Sequence, residues 1–280
     1  MRLFAILLIL TLAPSGFVTA QTLEKIKDTG TITFGFRTDA APLSFATGAD
    51  GKLAGYSPLV CSELAREIAA DLEIEDLTVE FVPVDTSDRF EKVASGEIDL
   101  LCGAATITLS RREIVDFSIP TYVDGASVML PRGEVTKLSE LGGRKVGFRS
   151  GTTTEQAVLN SFENDGLEIV ASRFSDHRAG IDALAAGEID AYFADQSILL
   201  SFFVRDRMAD RFVMLDDVLT VEKHGLALRR GDSDFRLLVD TGLSRLYAAG
   251  RMQEAFKRAL PGANPGVGLR AMYMLAPTLP

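Results

Sequence analysis

The chain has little with which to bind a metal or attack a substrate. Its 280 residues include two cysteines and two histidines, and these do not form the paired spacing of a zinc site. No Gly-x-Ser-x-Gly elbow is present. Gly142, Gly143 and Gly147 lack the spacing and the Lys-Ser/Thr ending of a phosphate loop. Neither a metal nor a cofactor is implied. Basic residues are not clustered, and the formal net charge is −10, so nucleic acid is not expected as a partner. An anionic ligand would need arginines gathered locally. Long apolar runs are also missing, apart from residues 3–12. That run follows Arg2, precedes the small residues Val18-Thr19-Ala20, and is too short to span a bilayer. Residues 1–20 therefore read as a signal peptide cleaved after Ala20, which leaves one further negative charge on the mature chain. With no cysteine at the cleavage site, a soluble exported protein is expected. Export permits a disulfide between Cys61 and Cys102. Two small buried hydrophobes are the other reading, and both stand at this point.

What the chain does have is a duplication. Gly96-Glu97-Ile98-Asp99 and Gly187-Glu188-Ile189-Asp190 each follow an amphipathic run and lead into an apolar one, Leu100-Leu101-Cys102 and Ala191-Tyr192-Phe193-Ala194. The pattern reads as helix, glycine stop and buried strand. Two such units predict two similar α/β lobes, each a central sheet flanked by helices, in about 260 mature residues.

Strands are expected over 31–36, 77–84, 119–130, 145–148, 168–171, 212–215 and 221–229. A helix is expected to start at Ser57-Pro58, with Ser57 as the hydroxyl cap. Thr152-Thr153-Thr154-Glu155 has capping-box spacing, and further helices are expected over 197–207, 235–249 and 252–259. The organisation that follows is a first lobe over 21–124, a second over 125–220, a return to the first over 221–260, and an irregular Pro/Gly-rich tail over 261–280.

Several landmarks in this order resemble the extracytoplasmic solute-binding proteins of family 3, which serve polar amino-acid uptake. They are Gly35-Phe36-Arg37 with Ala41-Pro42-Leu43-Ser44-Phe45, Gly55-Tyr56-Ser57, Thr106-Ile107-Thr108-Leu109-Ser110-Arg111, Val115-Asp116-Phe117-Ser118, Val146-Gly147 with Gly151-Thr152-Thr153, and Asp190-Ala191 with Asp195. The resemblance covers nearly all of the mature chain. It implies the two-lobed periplasmic binding protein fold (type II), a periplasmic location, a monomer, an amino-acid ligand and docking on the membrane permease of an ABC transporter. Departures are Ser57 and Leu59, where the family usually carries acidic residues, and Ala104, where a hydroxyl is common. Arg37, Arg89, Cys102-Gly103 and Asp176-His177 are most similar to glutamate/aspartate-binding members.

By that resemblance, Arg111 holds the ligand carboxylate with its planar fork. Thr106 joins from the same lobe, and Thr153 from a helix N-terminus of the other. Asp195 takes the ammonium, although it could instead cap the following helix. Arg37, Arg89 and His177 face the side chain. Arg89 could alternatively sit in a helix-face ion pair, and His177 could be an exposed residue at a helix start. Thr86 is a weaker candidate, and Tyr56 and Phe36 could stack on a ligand or belong to the core. Three arginines against one aspartate favour glutamate or aspartate, since a neutral ligand would leave buried charge unpaired. The competing class is an exported enzyme on the same scaffold, similar to cyclohexadienyl or arogenate dehydratase, which needs a general acid near the ligand. A detached sensor domain is a third reading.

Overall fold

The computed structural model describes residues 21–278 apart from 49, 134, 216 and 217. The leader read over 1–20 lies outside the described residues. Helix α1 (Gln21–Thr29), which is not among the expected elements, precedes β1 (Thr31–Arg37). Strands β2 (Asp39–Ala40), β3 (Ser44–Thr47) and β4 (Lys52–Ala54) form a small antiparallel sheet. Then come α2 (Tyr56–Asp71), β5 (Thr78–Val84), α3 (Arg89–Ser95), β6 (Leu100–Leu101), the single turn α4 (Leu109–Arg112) and β7 (Val115–Asp124). The second lobe holds β8 (Ala126–Pro131), β9 (Lys145–Arg149), α5 (Thr153–Asn164), β10 (Val170–Phe174), α6 (His177–Ala186), β11 (Ala191–Asp195), α7 (Gln196–Arg205) and β12 (Phe212–Met214). Strand β13 (Glu222–Arg229) returns to the first sheet, followed by α8 (Ser233–Ala248), α9 (Arg251–Ala259) and α10 (Val267–Leu275).

Two five-stranded sheets result, ordered β5-β1-β6-β13-β7 and β10-β9-β11-β8-β12. Each has the same sense along its width: two parallel pairings, then two antiparallel ones. The duplicated motif accounts for the likeness. Gly96 and Gly187 end α3 and α6 in the left-handed conformation, at φ 79° and 74°. Asp99 and Asp190 each clamp one residue of the neighbouring first strand. The Asp99 amide donates to Thr33 O and its carboxylate accepts from Thr33 N, both at 2.8 Å. Asp190 does the same with Lys145, again at 2.8 Å. Ile98 lies over Gly35 and Ile189 over Gly147, so closely that a Cβ on either glycine would meet the isoleucine Cδ1 at 2.3 or 2.5 Å.

The largest apolar cluster runs from α1, α2 and α8 through Tyr122 to Ile198 and Phe202 of the second lobe. Smaller clusters lie around Val93 and Ile98 in the first lobe and around Val146 and Phe148 in the second. The two chain crossings touch. A Cβ on Gly125 would meet Thr220 O at 2.0 Å, and Ala126 N donates to Thr220 Oγ1 at 2.9 Å.

Two expectations are corrected. Ser57 is not the cap of α2: Gly55 stands at that position, and Ser57 is buried within the helix. The amides of Tyr56 and Ser57 are already taken by Pro42 O and Leu43 O, so no hydroxyl cap is needed. The tail is not irregular throughout. Pro261, Gly262, Pro265 and Gly266 precede α10, which buries Leu269, Met272 and Tyr273 at helical spacing. Cys61 and Cys102 are joined by a disulfide that ties α2 to the end of β6.

Candidate functional site

The ends of β1 and β6, the start of α3 and the strand into β7 face the ends of β9 and β11 across a cleft. Ligands of α/β sheets gather at such C-terminal strand ends. A small cavity lies there, lined by Arg37, Arg89, Ala104, Thr106, Arg111, Thr152, Thr153, Thr154, His177, Asp195 and Ile198. All seven residues singled out from the sequence as ligand contacts are in this set. A wider groove continues outward past Thr108, Gln156 and Lys223.

The first lobe supplies the cations. Arg111 donates from Nη1 to Thr106 O at 2.7 Å and lies over the Phe90 ring. Burial draws its pKa down to about 10, against the pull of Glu222 and Asp195, so it stays charged at neutral pH. Arg89 is 2% exposed and donates from Nη1 to Ala104 O at 2.9 Å. Its Nε has no hydrogen-bond partner, and among the described residues it forms no ion pair. Burial, and then the like charges of Arg37 and Arg111, push its pKa well down. It is not a helix-face salt bridge but a guanidinium short of an anion.

His177 is buried rather than exposed, at 2%, because Asp176 caps α6 and turns the imidazole inward. Burial, then the charge of Arg37, lowers its pKa to about 3, which leaves the ring neutral. Its Nδ1 meets Tyr192 Oη at 3.1 Å, and its Nε2 has no partner. In the tautomer in which the Tyr192 hydroxyl donates to Nδ1, the imidazole proton is on the unpartnered Nε2.

The second lobe supplies the anion. Asp195 occupies the cap position of α7 but makes no side-chain capping bond. Its carboxylate instead accepts from Thr154 Oγ1 at 3.2 Å and lies 3.6 Å from His224 Nε2. Burial lowers the pKa of His224, so the ring is neutral and that contact is not an ion pair. Burial raises the pKa of Asp195 itself, a penalty that a ligand cation beside it would relieve. Asp124 is pushed up to about 8, first by burial and then by the charge of Asp195. It is held by Ser197 Oγ at 2.5 Å and does not line the cavity.

Thr152 caps α5 by accepting from Glu155 N at 3.2 Å, while Glu155 reaches Gly151 N at 2.9 Å. Thr106 and Thr153 stand on opposite lobes with their hydroxyls 3.1 Å apart, and both donate to Glu222 Oε2, at 2.5 and 2.7 Å. Thr86 donates to Ser150 O across the cleft at 2.9 Å. Tyr56 and Phe36 are core residues: the Tyr56 hydroxyl is spent on Thr121 O, and Phe36 packs edge-on against Phe81.

Sequence reasoning missed Asp39, Arg149, Thr154, Glu222 and His224. Arg149 had a readable signal. Gly35-Phe36-Arg37 recurs as Gly147-Phe148-Arg149, so both lobes end their first strand with an arginine. Both arginines converge on Asp39, which Arg37 Nη2 reaches at 2.5 Å and Arg149 Nε at 2.9 Å.

The two like sheets, the touching chain crossings and the charged cavity between them define a two-lobed α/β protein. Residues 32–261 match the family model of bacterial extracellular solute-binding proteins, family 3, and the chain belongs to that family. It is 27% identical over 261 residues to the L-glutamate/L-aspartate-binding protein of Pseudomonas aeruginosa, covering 92% of this chain and 86% of the relative. An ancestral arginine-binding protein bound to arginine superposes with a TM-score of 0.74 at 25% identity, over 82% of this chain and 98% of that one. An ancestral amino acid-binding protein, a precursor of cyclohexadienyl dehydratase, superposes with a TM-score of 0.72 at 25% identity, over 85% and 98%. The fold is that of the type II periplasmic amino-acid binding proteins. Among the described residues no helix is long and apolar enough to cross a membrane.

Proposed function

We propose that this chain is the periplasmic solute-binding component of an ABC importer and that its ligand is an acidic L-amino acid. The observation that carries the reading is Arg89, a guanidinium buried against the cavity with an unpartnered Nε and no counter-ion. A ligand side-chain carboxylate would remove that unpaired buried charge. His177 Nε2 would donate to the same group, with Arg37 nearby. The α-carboxylate would lie on Arg111 and the first backbone amides of α5. The hydroxyls of Thr106 and Thr153 are engaged by Glu222. The α-ammonium would be held by Asp195, whose raised pKa marks an anion in need of a cation.

Contacts from both lobes favour the closed form, because only closure satisfies all of them. The adjacent crossings at Gly125 and Thr220 provide the hinge. The closed protein would then dock on its permease. Catalysis is not required. Asp124, whose pKa burial raises to about 8, is turned onto Ser197 outside the cavity and is not placed to act as a dehydratase's general acid.

Calorimetric titration of the chain from Gln21 onward with the common amino acids tests the reading. Glutamate or aspartate should bind with a micromolar or tighter Kd. Preference for lysine, arginine or histidine would refute it, and turnover of prephenate or arogenate to an aromatic product would establish the enzyme instead.

A further inference from the structure

Asp39 and Arg149 do not line the cavity, yet they lie directly behind Arg37, which does. Arg37 donates from Nε and Nη2 to Asp39 Oδ1 at 2.9 and 2.5 Å, and Arg149 donates from Nε to Oδ2 at 2.9 Å. The two arginine side chains are each 3% exposed and that of Asp39 is 15% exposed. Arg149 also donates at 2.6 Å to Oδ2 of Asp85, whose side chain is 52% exposed. Burial works against ionisation of Asp39, but Arg37, then His177 and Arg149, overcome it and hold its pKa at about 2. Asp39 is therefore shared between two buried guanidiniums from opposite lobes, and Arg149 has the more exposed Asp85 as its second partner.

We infer that Asp39 and Arg149 set the charge balance behind Arg37, and so determine how strongly the site prefers a carboxylate over an amide at the ligand's side-chain end. The inference deepens the reading of the cavity as an amino-acid site and rests on it. Asp39 fixes Arg37 in place and offsets its charge. Arg149 restores part of that charge, and it does so only in the closed form because it comes from the second sheet. These roles have opposite signs. Loss of Asp39 makes the pocket more positive, loss of Arg149 makes it less positive, and loss of both returns it towards balance. Damage to structure alone has no such sign and weakens acidic and amide ligands alike.

The test is calorimetric titration of wild type, Asp39→Asn, Arg149→Met and the double variant with L-glutamate and L-glutamine, which are nearly isosteric. The readout is Kd for glutamine divided by Kd for glutamate. It should rise roughly five- to thirty-fold in Asp39→Asn and fall by a similar factor in Arg149→Met, as expected for a unit charge removed about 8–14 Å away at an effective dielectric constant near 20. In the double variant it should return to within about twofold of wild type. Arg149→Lys, which keeps the charge but not the fork spanning Asp39 and Asp85, should lower it less than Arg149→Met. If one single variant does not fold, the other and the double variant, which removes one charge of each sign, still decide the sign. A ratio unmoved in the singles, or moved the same way in both, overturns the inference alone. Wild type that binds neither amino acid refutes the reading of the cavity and the inference with it.

Discussion

The two lobes share one scaffold and differ where it meets the ligand. Both sheets have the same sequence of parallel and antiparallel pairings, both end the first strand in Gly-Phe-Arg, and both carry Gly-Glu-Ile-Asp between a helix and the third strand. Beyond that strand they part. In the first lobe β6 is followed by Cys102, Gly103 and Ala104, where a backbone carbonyl receives Arg89, and then by Thr106 and Arg111. In the second lobe β11 ends in Asp195. The first lobe thus gathers cations and the second presents the anion. Conserving a glycine stop and an isoleucine contact costs nothing in specificity, since neither touches the cavity. Opposite charges placed on the two repeats suit a ligand with opposite charges at its two ends.

The sharpest way to break this comparison is to remove one pole at a time. Arg111→Met and Asp195→Asn should each weaken binding of an acidic amino acid by at least about 30-fold, in line with the 2–5 kcal/mol typical of truncating one member of a buried charge pair. Circular dichroism should show both variants folded. A loss from one lobe alone would mean that the ligand is read by that lobe and merely covered by the other.

The lobes also differ in covalent support. The disulfide between Cys61 and Cys102 closes a loop with a sequence separation of 41 in the first lobe, and no free cysteine remains among the described residues. Replacing both cysteines by alanine should lower stability by about 3 kcal/mol. Hydrogen exchange should show the lost protection in β1 and α2, with β9 and β11 keeping theirs. The smallest expected effect tests the duplication itself. Ile98→Val and Ile189→Val each remove the methyl that rests on the glycine of the matching first strand. Each should cost about 0.5–1.5 kcal/mol in denaturant unfolding, with similar values, because the two contacts are copies. Unequal costs would show that the lobes bury their repeats differently.

Much of this was legible in the sequence because it is local or repeated. Gly96 and Gly187 announced the helix ends, the apolar runs after them announced β6 and β11, and the family motifs brought seven residues to one cavity. What was not legible depends on tertiary approach. Ser57 looked like a cap because it precedes Pro58, but carbonyls from the loop before it had already taken the helix amides. The tail looked irregular because Pro261, Gly262, Pro265 and Gly266 come first, whereas the helix begins just after them. Glu222 lies on a chain crossing, where nothing local shows that three threonine hydroxyls converge on it. Asp39 sits two residues beyond Arg37, and its partner Arg149 is remote in sequence, so the pair exists only once the lobes face each other. The second Gly-Phe-Arg was in plain view, but its meaning required the two sheets to be superimposed.

The central claim is that Arg89 lacks an anion and that the ligand supplies it. A crystal structure of the chain from Gln21 onward with bound L-glutamate tests this most directly. The account predicts the side-chain carboxylate within hydrogen-bond distance of Arg89 Nε and His177 Nε2, with the α-carboxylate on Arg111 and the ammonium on Asp195. A bound ligand that leaves Arg89 Nε without a carboxylate partner would contradict it.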